Sequence, residues 1–142
     1  MNELKDKRIF IIEDNIMNLS VFSATLRRSG ATIFQYAWSA GACGQLLLRL
    51  PIDIILLDLM LRDQRSGYAV FEEVRKVPEL AHIPVVAVSA AEPSIEIPKA
   101  KAIGLNGFIG KPILPRLFPV QIAACIHGEQ LWYVPQGNLE DV

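Results

Sequence analysis

Ile52-Asp53-Ile54-Ile55-Leu56-Leu57, closed by Asp58, is the stretch that decides the fold of this 142-residue chain. Apart from Asp53 it is unbroken aliphatic, and Pro51 bounds it. A strand with one wet face alternates apolar and polar residues. A short, near-continuous apolar run instead marks a strand covered on both faces, as in a parallel sheet. Similar runs lie on either side. Upstream are Arg8-Ile9-Phe10-Ile11-Ile12 and Ala31-Thr32-Ile33-Phe34-Gln35-Tyr36; downstream are Ile83-Pro84-Val85-Val86-Ala87-Val88 and Gly107-Phe108-Ile109-Gly110. Helix-period segments separate them. Asn15 to Ser29 carries Leu19, Phe22 and Leu26 on one face, ends in Arg27 and Arg28, and meets Gly30 as a stop. Ser39 can cap a helix running to Leu50, where Pro51 ends it. Gly67 to Val77 sets Val70, Phe71, Val74 and Val77 at helical spacing before Pro78. A fourth helix falls before Gly104, and a fifth runs to about His127. Strand and helix thus alternate five times. Right-handed crossovers turn that order into a doubly wound α/β domain: a five-stranded parallel sheet, order 2-1-3-4-5, with five helices.

The length suits one domain. Residues 1–127 are assigned to it and 128–142 to a short C-terminal tail. Trp132 and Tyr133 in the tail are expected to pack back on the body; the other reading of them is a docking peptide. Apolar residues make up 51% and charged residues 20%, enough to build a core, which excludes an intrinsically unfolded chain. Fourteen Lys and Arg face fifteen Asp and Glu, for a net charge of −1. That balance argues against generic binding to a nucleic-acid backbone. No apolar stretch reaches the roughly 18 residues of a membrane span. The opening stretch, Met1 to Arg8, lacks the apolar region of a signal peptide. Cys43 and Cys125 sit in apolar helical contexts and are expected to be buried free thiols, which suits a reducing cytosol. A cytoplasmic protein with no direct contact to nucleic acid or membrane is therefore expected.

In an open α/β sheet the site lies outside the carboxyl ends of the strands. Glu13 and Asp14 follow the first strand, Asp58 the third, Ser89 the fourth and Lys111 the fifth. The second, peripheral strand ends only in Tyr36, Ala37 and Trp38. Three carboxylates at one edge repel, and their pKa values rise unless a cation joins them. Mg²⁺ suits a site of a few carboxylates, a carbonyl and waters. Lys111 adds positive charge, and the Ser89 hydroxyl can donate to an oxyanion. That set suits phosphoryl transfer in which one Asp attacks.

Five pieces stand in order over residues 8 to about 127. They are Ile12-Glu13-Asp14-Asn15 with Asn18, Leu56-Leu57-Asp58-Leu59, Leu80-Ala81-His82-Ile83-Pro84-Val85, Val86-Ala87-Val88-Ser89-Ala90 and Gly107-Phe108-Ile109-Gly110-Lys111-Pro112. Asp14 and Asp58 are 44 residues apart, and Ser89 and Lys111 are 22 apart. In these the chain resembles the receiver domain of two-component response regulators, the CheY-like superfamily, of the single-domain type with a flavodoxin-like sheet. The resemblance implies that Asp58 is the phospho-acceptor, that Asp14 and Asp58 bind Mg²⁺, that Glu13 acts through a metal-bound water, and that the backbone carbonyl of Met60 is a further ligand. It implies that Ser89 bonds a phosphoryl oxygen and that Lys111 pairs with Asp58 and then with the phosphoryl group. It also implies a cis Lys111–Pro112 peptide, and places Phe108 at the aromatic switch position. Implied partners are a sensor histidine kinase or histidine phosphotransfer protein as donor, and an output protein on the face built from helix 4, strand 5 and helix 5. The domain would catalyse its own phosphorylation and dephosphorylation while acting as a signalling switch rather than a metabolic enzyme. A DNA-binding module after residue 127 is not expected, so output is expected to pass through protein contacts, onward phosphotransfer or an untethered partner.

The chain departs from the family pattern in three places. Glu13 stands where an Asp is commoner. Leu61-Arg62-Asp63-Gln64-Arg65-Ser66-Gly67 lacks the usual Pro after the acceptor and is one residue longer, which makes Arg62 or Arg65 candidates to tune phosphoryl lifetime or donor choice. Pro93 and Pro98 imply a short fourth helix starting near Pro98, and Pro119 blurs the start of the fifth. The alternative function is a non-phosphorylated pseudo-receiver, a protein-binding module that kept the fold. A flavodoxin-like cofactor binder is disfavoured because Glu13 and Asp14 would repel a phosphate. An aspartyl-nucleophile phosphatase is disfavoured because Asp58-Leu59-Met60 lacks the second Asp.

Overall fold

The computed structural model describes residues 2–61 and 66–135. Elements alternate along the chain: β1 (Arg8–Ile12), α1 (Ile16–Arg28), β2 (Thr32–Tyr36), α2 (Ala42–Leu48), β3 (Ile54–Leu57), α3 (Gly67–Lys76), β4 (Val85–Ser89), α4 (Pro93–Ile103), β5 (Gly107–Gly110), α5 (Phe118–Ile126) and β6 (Leu131–Tyr133). All strand pairs in the sheet are parallel, in the order β2-β1-β3-β4-β5-β6. The expected order 2-1-3-4-5 is thus observed, and the expected count of five strands is corrected to six. The sixth comes from the segment read as a tail. It pairs beyond β5, with Trp132 beside Phe108 and Tyr133 beside Ile109, so both aromatics do pack back on the body.

Alternate residues of each strand enter opposite cores, as a sheet covered on both faces requires. Phe10, Ile12, Ile55, Leu57, Ala87 and Phe108 join Leu46 of α2, Val70, Phe71 and Val74 of α3, and Ala100 of α4. Ile9, Ile11, Ile54, Leu56, Val86 and Ile109 join Phe22 and Leu26 of α1 and Phe118, Ile122 and Cys125 of α5. One row crosses the first of these faces from edge to edge: Tyr36, Ile12, Leu57, Ala87, Phe108, Trp132.

Helix ends follow local chemistry. The Asn15 side chain caps α1 by accepting from the Asn18 N–H at 3.0 Å. Gly30 ends it at φ +100°, where a Cβ would lie 2.8 Å from the Lys5 Cα. The Ser39-to-Leu50 expectation for α2 is corrected to Ala42–Leu48. Ser39 is buried and lies outside the N-cap position; Gly41, at φ +79°, occupies that position without a side-chain cap bond. At the far end the Arg8 guanidinium binds the carbonyls of Arg49 and Pro51, which takes those acceptors out of a continuing helix. The expectation of a short α4 beginning near Pro98 is also corrected. The helix starts at Pro93, in the first turn where a missing N–H is harmless, and Glu92 accepts from the Ser94 N–H. Pro98 lies inside the helix, but it and Ser94 are exposed, so the carbonyl freed on Ser94 can be met by water. Pro119 falls in the first turn of α5. Neither cysteine forms a disulfide, and Cys125 is buried, but Cys43 is only half-buried, contrary to expectation. No helix among the described residues is long and apolar enough to cross a membrane.

Candidate functional site

The carboxyl ends of β1, β3 and β5 each release a charged residue into one crevice. Asp58 follows β3 directly, its N–H bonded to the Ile12 carbonyl at the end of β1. Glu13 and Asp14 leave β1 before the α1 cap. Lys111 follows β5, its N–H bonded to the Ser89 carbonyl at the end of β4. The crossovers therefore bring together residues far apart in the chain: Lys111 Nζ lies 2.7 Å from Glu13 Oε1 and 3.4 Å from Asp58 Oδ2. Glu13 Oε2 accepts from the Asn15 N–H at 3.0 Å, and Asp58 Oδ1 accepts from the Met60 N–H at 3.2 Å.

Glu13, Asp14 and Asp58 each present a carboxylate oxygen, and the three oxygens lie within 4.8 Å of one another. Glu13 is 1% exposed and Asp58 6%. Burial raises the Glu13 pKa above the ordinary carboxylate value, although Lys111 and the Asn15 N–H pull the other way. Hard oxygen donors at this spacing, one side open to water at half-buried Asp14, fit a small divalent cation.

The remaining expected residues occupy a second tier. Ser89 is buried at the end of β4, its Oγ accepting from the Ala91 N–H at 3.1 Å and so held by its own turn. Phe108 is fully buried in the sheet, between Ala87 of β4 and Trp132 of β6. The Met60 side chain is exposed, as a residue contributing only its backbone would allow. The Lys111–Pro112 peptide is cis. Arg62 and Arg65 lie outside the described residues.

Two contributors were not foreseen. Phe22 of α1, counted only as a core residue, places its ring 5.9 Å from Lys111 Nζ. Gly67 packs against the chain leaving β3: a Cβ there would fall 2.3 Å from the Asp58 carbonyl oxygen and 2.8 Å from the Leu59 Cα. The single signal for Gly67 was a glycine shortly after Asp58; for Phe22 there was none.

A doubly wound parallel sheet that gathers three acids and a lysine at its carboxyl edge, with a hydroxyl at the neighbouring strand end, defines a flavodoxin-like α/β domain with an acidic site at the strand ends. Residues 9–122 match the response regulator receiver domain family, and the chain belongs to it. It is 32% identical over 111 residues to the polar-differentiation response regulator DivK of Brucella ovis, covering 78% of this chain and 89% of that one. It is 26% identical over 120 residues to hybrid signal transduction histidine kinase B of Dictyostelium discoideum, covering 77% of this chain but only 6% of that far longer protein. Among solved structures, the receiver domain of a sensor histidine kinase from Pseudomonas aeruginosa PAO1, with a magnesium ion coordinated in its active-site cleft, superposes with a TM-score of 0.75 at 25% identity, covering 87% of this chain and 99% of that one.

Proposed function

We propose that this receiver domain accepts a phosphoryl group on Asp58 from a His-phosphorylated sensor kinase or phosphotransfer protein, and signals by changing its protein contacts. The observation that carries the reading is the convergence of Glu13, Asp14 and Asp58 on one crevice with Lys111 Nζ against two of them. An Asp58 carboxylate oxygen attacks phosphorus, the bond from phosphorus to the donor imidazole nitrogen breaks, and that nitrogen keeps the electron pair. Lys111 is placed to shift from carboxylate to phosphoryl oxygen as charge develops there. Ser89 is one strand away and can exchange its Ala91 bond for a phosphoryl oxygen. Glu13, Asp14, Asp58 and the Met60 carbonyl would hold Mg²⁺. When bound, that ion supplies positive charge to the transferring group. The magnesium-bound Pseudomonas relative supports this assignment.

Phosphorylation adds about −2 charge at the sheet edge. The domain thereby biases a two-state arrangement read by partner proteins, consistent with a cytoplasmic protein that carries a signal rather than turning over a metabolite. The test is intact-mass measurement after incubation with acetyl phosphate. The expected result is one added phosphoryl group in the presence of Mg²⁺, none without it, and none in Asp58→Ala. An unlabelled parent protein would favour the pseudo-receiver reading, and a labelled Asp58→Ala would displace the acceptor.

A further inference from the structure

We propose that residues 131–135 form an autoinhibitory strap: seated on the β5 edge in the unphosphorylated state, and unseated when Asp58 is phosphorylated. The inference rests on the phospho-acceptor reading above and extends it to a segment that lies beyond the matched residues 9–122.

The strap is built into β5. Gly107 and Gly110 flank Phe108 and Ile109, and both lie where residues 131–135 pass closely. A Cβ at Gly107 would fall 2.7 Å from the Leu131 carbonyl oxygen, and one at Gly110 would fall 2.7 Å from the Pro135 Cδ. Two such approaches show a β5 shaped to be covered. The cover is also shallow. β6 has three residues, each only half-buried, and it forms the last strand of the sheet. A short edge strand of this kind belongs to the low-stability end of a fold. One ring contact ties it to α4, with Lys101 Nζ 5.1 Å from the Trp132 ring centroid. The strap therefore occupies the edge between α4 and α5, the face on which partners are expected.

Its link to the site runs along one register row. Trp132 lies beside Phe108, Phe108 beside Ala87, and Ala87 is two residues from Ser89 in β4. With Trp132 seated, Phe108 is fully enclosed and cannot turn outward. If the Ser89 hydroxyl leaves Ala91 for a phosphoryl oxygen, Phe108 gains room toward β4 and withdraws from Trp132. The strap then loses its largest apolar neighbour on the sheet and detaches. Coupling is reciprocal: whatever unseats the strap by occupying the site must bind more weakly while the strap is seated.

The test is hydrogen exchange with beryllofluoride and Mg²⁺ as the phosphoryl mimic, joined to beryllofluoride affinities of Trp132→Ala and Lys101→Ala. The expected result is slower exchange at 58–61 together with at least about fivefold faster exchange at 131–135. Both variants should bind the mimic more tightly than the parent. Should Trp132→Ala fail to fold, Lys101→Ala, which removes only the ring contact from α4, carries the affinity arm. Protection at 58–61 with unchanged exchange at 131–135 overturns the strap alone, as does unchanged or weaker affinity in Lys101→Ala. No protection at 58–61 overturns the phospho-acceptor reading and the strap with it.

Discussion

At the carboxyl ends of β1, β3 and β5, four charged side chains crowd into one crevice, with Lys111 bridging Glu13 and Asp58. Along the outer flank, α4, β5 and β6 meet instead through Ala100, Phe108, Trp132 and a single cation–ring contact. The crevice is specified residue by residue, because each group is needed for its charge or its donor. The flank is specified by volume and edge pairing, which many sequences satisfy. Changes in the crevice should therefore alter chemistry out of proportion to stability, and changes on the flank should do the reverse.

The largest effect is expected at Lys111. Lys111→Met removes the one cation among the described residues that pairs with both Glu13 and Asp58, and should slow acetyl-phosphate labelling of Asp58 by about a hundredfold or more. A labelling rate close to that of the parent would break the contrast at its strongest point. Next comes Gly67→Ala, where the new Cβ meets backbone that cannot swing away. Overpacking of this kind costs about 1–3 kcal/mol, read as a lower midpoint in urea. An unchanged midpoint would show that α3 does not brace the acceptor loop.

A subtler effect concerns Glu13. Its folded pKa is raised from the ordinary 4.5 by burial. As pH rises, the unfolded chain gives up its proton first while the fold still holds it. Stability of the metal-free protein should therefore fall with rising pH across the window from the ordinary value to the raised one. Glu13→Gln should remove that decline in urea midpoints taken from mildly acidic to neutral pH; the same slope in the variant would contradict the assigned cause. The smallest effect is expected on the flank. Pro98→Ala restores a helix N–H in α4 and should stabilise by about 1 kcal/mol, after loss of the stiffness that proline lends the unfolded chain. That corresponds to a Tm rise of about 3 °C, with labelling unaffected. A lower Tm would mean that α4 depends on the kink.

The same contrast explains what could be read from sequence. The sheet order and the positions of Glu13, Asp14, Asp58, Ser89 and Lys111 were legible because unbroken apolar runs mark buried parallel strands and the chemistry falls at their ends. The bounds of α2 were not, because Ser39 looks like a cap but is buried, while Gly41 in the left-handed region takes the turn. The start of α4 was misjudged because the cost of Pro98 depends on whether the freed carbonyl reaches water, which no linear pattern encodes. Strand β6 escaped because three residues, Leu131-Trp132-Tyr133, are too few to show a period. The glycines of β5 that admit it look like ordinary turn residues. Phe22 was seen as core, and nothing in its spacing points to the Lys111 amine.

The claim on which all of this depends is that Glu13, Asp14 and Asp58 form one divalent-cation site. Calorimetric titration of Mg²⁺ into the metal-free protein tests it most directly, with Asp14→Asn and Asp58→Asn alongside. One ion per chain is predicted for the parent, with binding lost or severely weakened in both variants. A parent that binds no ion, or variants that bind as well as the parent, would contradict it.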